Sequence, residues 1–201
     1  ARVACKCKGC KRQMEYAVAN VEKKEDIVVA IRADGNEALG MGHLMRCMSI
    51  GRALEQLGAT CVFFVAQEES GAFVVERGFA CEVLNTDYRD MERELSALKG
   101  LAEKYEPKLW LVDSYQITGR YLRALRKLGP VFYLDDTGEQ IFEADGLINY
   151  NIYGDSLGYE DKCSRTMKLL LGAKYAPVKV EFRETPFCMR EDVQNVLITM
   201  G

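Results

Sequence analysis

The chain contains one histidine, His43. It sits in the stretch AIRADGNEALGMGHLMRCMSIGRALEQLG, residues 30–58, where an apolar strand pattern gives way through glycines to an amphipathic helical one. Gly40 and Gly42 allow a tight loop that brings backbone close to a ligand, and they place His43 in the first turn of the helix that follows. The partial positive charge at a helix N-terminus opposes protonation of an imidazole, by about 0.3–1 kcal/mol when exposed and up to ~2 kcal/mol when partly buried. A neutral ring of this kind takes a proton from water, and such a general base typically contributes a factor of about 10²–10⁴ to a rate. A histidine that only caps or packs is the competing reading. A dinucleotide-binding fingerprint is a weaker one, since it needs a third glycine where Met45 stands, and Glu68 and Glu69 lie too far along to hold a ribose.

Further chemistry is expected just after each apolar run, because ligands of parallel sheets bind beyond the carboxyl ends of the strands. Arg32 and Asp34 follow the first run, and Asp113, Ser114 and Tyr115 the fourth. Asp135 and Asp136 follow the fifth, and Asn149 and Asn151 surround the end of the sixth. Arg46 lies one helical turn beyond His43 and is either an anion ligand or a solvated helix residue. Asp136 precedes Thr137 and Gly138, so capping the next segment is its alternative role. Cys47, Cys61 and Cys81 lie inside apolar patterns and are read as free thiols that pack as small hydrophobes. Cys47 lacks a base beside it in the sequence and is not read as a nucleophile.

The elements that must position these residues are legible from periodicity. DIVVAI, CVFFVA, CEVLN, LWLVDSY, PVFYLDD, GLINYNI and LLLGAKYA read as strands rich in β-branched and aromatic residues. Between them, MGHLMRCMSIGRALEQLG, GAFVVERG, YRDMERELSALKGLAEKY and TGRYLRALRKLG carry apolar residues at three- and four-residue spacing, and most end on a glycine suited to a helix C-cap. Strands without polar alternation are buried on both faces, so the expected architecture is α/β, a Rossmann-like parallel sheet with helices on both faces. The polar region from Gly154 to Thr166 reads as a surface loop with a helical turn.

Composition narrows the function. With 201 residues, 48% hydrophobic and 28% charged, the chain suffices for one full domain of an ordinary soluble kind. A net charge of -3, with Lys and Arg scattered through helices, argues against a nucleic-acid partner. No apolar run approaches the roughly 18 residues of a membrane span, and the N-terminal stretch lacks the apolar segment of a signal peptide, so no membrane partner and a cytoplasmic location are expected. Cys5, Cys7 and Cys10 in CKCKGC pack three thiols into six residues, but three ligands do not close a tetrahedral site. Residues 1–26 are therefore read as a basic, cysteine-containing tail, with no metal.

Together, RADGNEALGMGHLMRCMSIGRAL, VDSY, YLDDTGE, LINYNIYG, LLLGAKYAPVKVEF and LITMG resemble the UDP-2,4-diacetamido-2,4,6-trideoxy-β-L-altropyranose hydrolases of pseudaminic acid biosynthesis. That family is grouped with proteins of spore-coat polysaccharide synthesis. The resemblance runs from about Ile27 to Gly201, and its most specific part is the series Arg32, Asp34, Gly40, Gly42, His43, Arg46 and Cys47. Val178 and Lys179 depart from it, standing where the family more often has leucine and arginine.

The resemblance implies the first half of a two-domain glycosyltransferase-B-like fold that removes UDP by water attack at the anomeric carbon with inversion. His43 is then the general base. Arg46 and the main chain at Gly42 face the diphosphate, while Arg32, Asp34, Gly40, Asp113, Tyr115, Asp135, Asn149 and Asn151 bind substrate, and Asp113 or its acidic neighbours orient His43. No cofactor is implied, since UDP is already a good leaving group. The domains expected are 27–181, a linker at 182–193, and from 194 to 201 the opening strand of a second domain that supplies the nucleotide site. A sugar transferase of the same architecture, or a non-catalytic sugar-nucleotide-binding module, are the alternatives.

Overall fold

Each of the seven apolar runs forms a strand, and all seven lie parallel in one sheet. The computed structural model describes residues 27–183, 192–193 and 196–198. The strands are β1 (Ile27–Ala33), β2 (Ala59–Val65), β3 (Ala80–Val83), β4 (Leu109–Asp113), β5 (Val131–Leu134), β6 (Gly146–Asn149) and β7 (Lys168–Leu171). Their order across the sheet is β3-β2-β1-β4-β5-β6-β7, with every neighbouring pair parallel. The chain thus winds outward from β1 to β3, then crosses back to lay β4 on the other side of β1. That reversal parts the loops that follow β1 and β4 and opens a crevice between them.

Helices cover both faces, which is why the central strands carry apolar side chains at consecutive positions. On one face α1 (Gly42–Gln56) and α2 (Glu68–Glu76) pack Leu44, Cys47, Met48 and Val74 onto Ile31, Phe63 and Leu111. On the other, α3 (Leu95–Tyr105), α4 (Gly119–Leu125) and the short α5 (Tyr159–Lys162) pack Leu98, Leu122, Leu125 and Tyr159 onto Val62, Trp110 and Val131. Each such fully buried side chain stabilises the fold by about 1.5–3 kcal/mol relative to leaving it in water. Helix ends follow local rules. Gly58 and Gly78 take the left-handed conformation just past α1 and α2, and the Thr118 hydroxyl accepts the Tyr121 N–H to cap α4.

Two expectations change. The long segment read as one helix over 88–105 begins as a tight turn at Met91–Glu94 and becomes α-helical only at Leu95. The region from Gly154 is more than a surface loop, because Tyr159 is buried inside it and ties the ends of β5 and β6 together. The short α6 (Val180–Arg183) spans residues 181 and 182. The CKCKGC tail lies outside the described residues, as do most of the linker and of the strand expected from 194; Val196, Leu197 and Ile198 are described, exposed and outside the sheet. Among the described residues no helix is long and apolar enough to cross a membrane.

Candidate active site

The crevice at the sheet's reversal is filled by side chains from α1 and from the ends of β4, β5 and β6. Ala33, the last residue of β1, lies in register with Asp113, the last residue of β4. Beyond Ala33 the chain turns through a short loop in which the Asn36 side chain accepts the N–H groups of Ala38 and Leu39. Gly40 closes the loop at φ +72, a conformation that other L-residues rarely adopt. Helix α1 then starts at Gly42, and no side chain caps it, so its leading N–H groups have neither an intrahelical acceptor nor a protein cap. Gly42 is exposed, with open space where a side chain would be.

His43 points its Nδ1 at Asp113 Oδ1 across 2.7 Å. The same carboxylate receives Arg46 in two-pronged fashion, Nε to Oδ2 at 2.5 Å and Nη2 to Oδ1 at 2.5 Å, the geometry in which guanidinium and carboxylate pair most strongly. The Cys47 thiol lies 3.5 Å from Oδ2. Burial alone would raise the Asp113 carboxyl, but the hydrogen bonds and charge of Arg46, with the contact to His43, hold it below the ordinary carboxylate range. Asp113 is therefore ionised at neutral pH and can only accept. The ring nitrogen facing it is therefore the donor, and in the neutral form of the ring this places the lone pair on Nε2. Arg46 Nη2, 3.0 Å from His43 Nδ1, reaches that position because both groups donate to one oxygen.

Arg46 is engaged with several protein partners. Its Nη1 donates to Asp136 Oδ2 and to the Tyr150 hydroxyl, both at 3.1 Å, so all three nitrogens already serve protein acceptors. Burial works against its charge, but the bonds to Asp113 and Tyr150 outweigh that and raise its pKa further. These bonds make it a brace for Asp113 at the wall of the crevice.

The two neighbouring aspartates exchange roles. Asp135 accepts the Thr137 and Gly138 N–H groups and the Tyr159 hydroxyl, so it caps the turn. Asp136 faces the site, where it accepts from Arg46 and, at 2.9 Å, from the Tyr115 hydroxyl. Tyr115 in turn presents its ring edge-on to His43, with centroids 4.7 Å apart.

Other predicted residues lie beneath the surface. Asn149 is buried, donating to Tyr159 and accepting from Asn151, so it shapes the loop after β6 and leaves Asn151 partly open. A Cβ at Gly154 would stand 2.8 Å from the Asn149 carbonyl oxygen, so only glycine lets that loop fold back so closely. Arg32 and Asp34 are turned to protein partners: the Arg32 guanidinium has no exposed surface and bonds Glu94 and Asp34, and Asp34 gives its second oxygen to the Ala66 N–H. The sequence reading missed Tyr150 and Glu94 altogether. Tyr150 follows a strand end and was open to the same argument as its neighbours, whereas nothing local marks Glu94.

Two hollows flank this cluster. One of about 400 Å³ lies beside Tyr115, lined by Ser114, Ile117, Tyr133, Thr137 and Gln140 among others. The other, of about 420 Å³, runs from Gly42 and Arg46 past Tyr150 to Lys179. Among the described residues no three of His, Cys, Asp and Glu converge as ligands for a metal ion.

No protein-family model matches the chain. MurG of Acinetobacter baumannii superposes with a TM-score of 0.50 at 11% identity, over 62% of this chain and 41% of that one. The fold is the Rossmann-like one of glycosyltransferase-B domains. UGT89C1 of Arabidopsis thaliana, solved in complex with UDP, gives a TM-score of 0.48 at 10% identity, over 72% and 48% of the two chains. In sequence, the chain is 23% identical over 185 residues to the uncharacterized protein MJ1062 of Methanocaldococcus jannaschii, covering 86% of this chain and 36% of that protein. It spans roughly a third of that relative's length and less than half of each solved structure.

Proposed function

We propose that this chain is the sugar-side domain of a nucleotide-sugar hydrolase that releases UDP from a UDP-linked 2,4-diacetamido-2,4,6-trideoxyhexose. His43 Nε2 takes a proton from water as the water oxygen attacks the anomeric carbon. The bond from that carbon to the diphosphate oxygen breaks, UDP leaves with the electron pair, and the configuration inverts. The observation that carries this reading is the 2.7 Å contact of His43 Nδ1 with an ionised, Arg46-braced Asp113. Asp113 fixes the tautomer a base needs and stabilises the imidazolium that forms.

The remaining geometry supports the same reading. The uncapped start of α1 at Gly42 suits the anionic diphosphate. The hollow beside Tyr115 is of monosaccharide scale and offers hydroxyl and amide groups from Ser114, Thr137 and Gln140. Nucleotide contacts would come from a second domain. A sugar transferase is the rival, supported by the glycosyltransferase-B fold itself; there an acceptor hydroxyl replaces water before the same base.

Incubating the full-length protein with the UDP-sugar and no acceptor separates them. Stoichiometric free UDP and reducing sugar are expected. UDP released only when an acceptor is added would establish the transferase, and binding without turnover would establish a non-catalytic module.

A further inference from the structure

The buried ion cluster on the far face of the sheet has no part in the chemistry above, yet it touches both loops that meet at His43. Glu94 and Arg32 have no exposed surface, and Tyr121 is equally buried. Arg32 donates to Glu94 through Nε at 2.7 Å and Nη2 at 2.8 Å, and to Asp34 through Nη1 at 2.5 Å. The Tyr121 hydroxyl donates to Glu94 Oε1 at 2.7 Å. An arrangement of this kind is costly to desolvate, and replacing a buried ion cluster by apolar groups is often neutral or stabilising. Stability alone therefore does not explain it.

Its connections do. Arg32 and Asp34 flank Ala33, the residue in register with Asp113. Asp34 is bonded to the Ala66 N–H, and the next residue, Gly35, is held at both its N–H and its carbonyl by the Ser70 hydroxyl. The exit of the His43 loop from β1 is thereby fixed in direction. Tyr121 stands in the first turn of α4, directly after the segment that leaves β4 at Asp113 and carries Ser114 and Tyr115. One carboxylate thus anchors both chain segments, from the opposite side of the sheet.

We infer that Glu94 is a positioning residue that aligns His43 with Asp113 across the sheet, through Arg32 and Asp34 on one side and Tyr121 on the other. The inference deepens the base assignment above and rests on it for its catalytic meaning. Its test does not require turnover.

His43 is the sole histidine, so a long-range proton–nitrogen correlation spectrum of the ¹⁵N-labelled chain reports one imidazole. It is recorded at a pH where the ring is neutral. Glu94→Gln keeps the shape and removes the charge, and the ratio of Nδ1–H to Nε2–H tautomer is expected to fall about tenfold, the scale of one lost hydrogen bond to a charged group. Tyr121→Phe should move it the same way by less, and Glu103→Gln, on the exposed side of α3, should leave it unchanged. Helix content and a cooperative melt establish that each variant is folded. Wild-type nitrogen signals in folded Glu94→Gln and Tyr121→Phe would overturn the inference. If Glu94→Gln does not fold, Tyr121→Phe decides alone. A wild-type chain protonated at Nε2 would instead refute the base assignment, while a shift between wild type and variants would still place Glu94 in control of the ring.

Discussion

His43 and Asp113, 70 residues apart in the chain, meet with 2.7 Å between Nδ1 and Oδ1. The contact exists because β4 crosses back to lie against β1, which brings the end of one strand beside the loop that leaves the other. Sheet topology thus decides which carboxylate the ring faces.

The first prediction tests that pairing. Asp113→Asn preserves shape but removes the charge that fixes the imidazole, and turnover by the full-length protein should fall about 10²–10⁴-fold with KM within a few-fold. His43→Ala should fall by a similar factor, and the double variant by little more than either, since residues acting as a unit are not additive. Additive losses in UDP release would show that the two act separately.

A second prediction concerns Arg46, whose removal leaves Asp113 buried with its charge unbraced. Breaking a buried pair from one side typically costs about 3–5 kcal/mol. Arg46→Met should lose stability on that scale in urea unfolding, and Arg46→Lys should recover only part of it, because a single ammonium cannot grip both carboxylate oxygens. Wild-type stability in Arg46→Met would show that the brace is dispensable.

The acid limb of stability gives the third. The Asp113 carboxyl is held below its ordinary value in the folded chain, so the unfolded chain binds its proton first as pH falls. The stabilisation is fully present above the unfolded value of about 3.9 and is lost as pH drops through the depressed native one. Urea midpoints for wild type and Asp113→Asn should run parallel from pH 7 to about pH 5 and converge below about pH 4. A gap that stays constant into acid would show that Asp113 makes no such contribution.

All seven strands were legible, because a doubly covered strand needs consecutive apolar residues and few other arrangements produce them. The crevice was legible too, as the place where Asp113 ends one strand and Asp136 closely follows another. The division of labour between neighbours was not. Asp135 and Asp136 are chemically identical, and only the turn geometry, with Tyr159 brought in from 24 residues away, decides which one caps. Arg32 looked like a ligand residue because it ends an apolar run. Its partner Glu94 lies 62 residues further on in an irregular turn, where no periodicity marks a buried acid.

Thiol accessibility supplies the fourth prediction. Burial, then the charge of Asp113, pushes the Cys47 thiol well above its ordinary value, and burial with the charge of Glu55 pushes Cys61 up to about 12. Only the thiolate attacks an alkylating reagent. Iodoacetamide on the native chain at pH 8 should label Cys163, which is partly exposed, well before Cys47 or Cys61, as followed by peptide mass spectrometry. Early labelling of Cys47 would mean that the packing of α1 on the sheet opens readily.

The last prediction separates the two neighbouring aspartates. Asp135 satisfies two backbone N–H groups and a tyrosine hydroxyl without touching the His43 cluster, so Asp135→Ala should cost about 0.5–2 kcal/mol of stability, as the loss of a cap does. Its turnover should change far less than that of a site residue. Asp136 binds only side chains of the site, Arg46 and Tyr115, through its carboxylate and is partly exposed. Asp136→Ala should leave stability within about 1 kcal/mol, the ceiling for a partly exposed ion pair, while freeing Tyr115 and one edge of Arg46. Turnover, KM or both should then worsen. Thermal melts and steady-state UDP release on the two variants check the pair together. Equal effects on both measurements would mean that the loop after β5 acts as one unit, and that turning one aspartate toward the site and its neighbour into the turn has no functional weight.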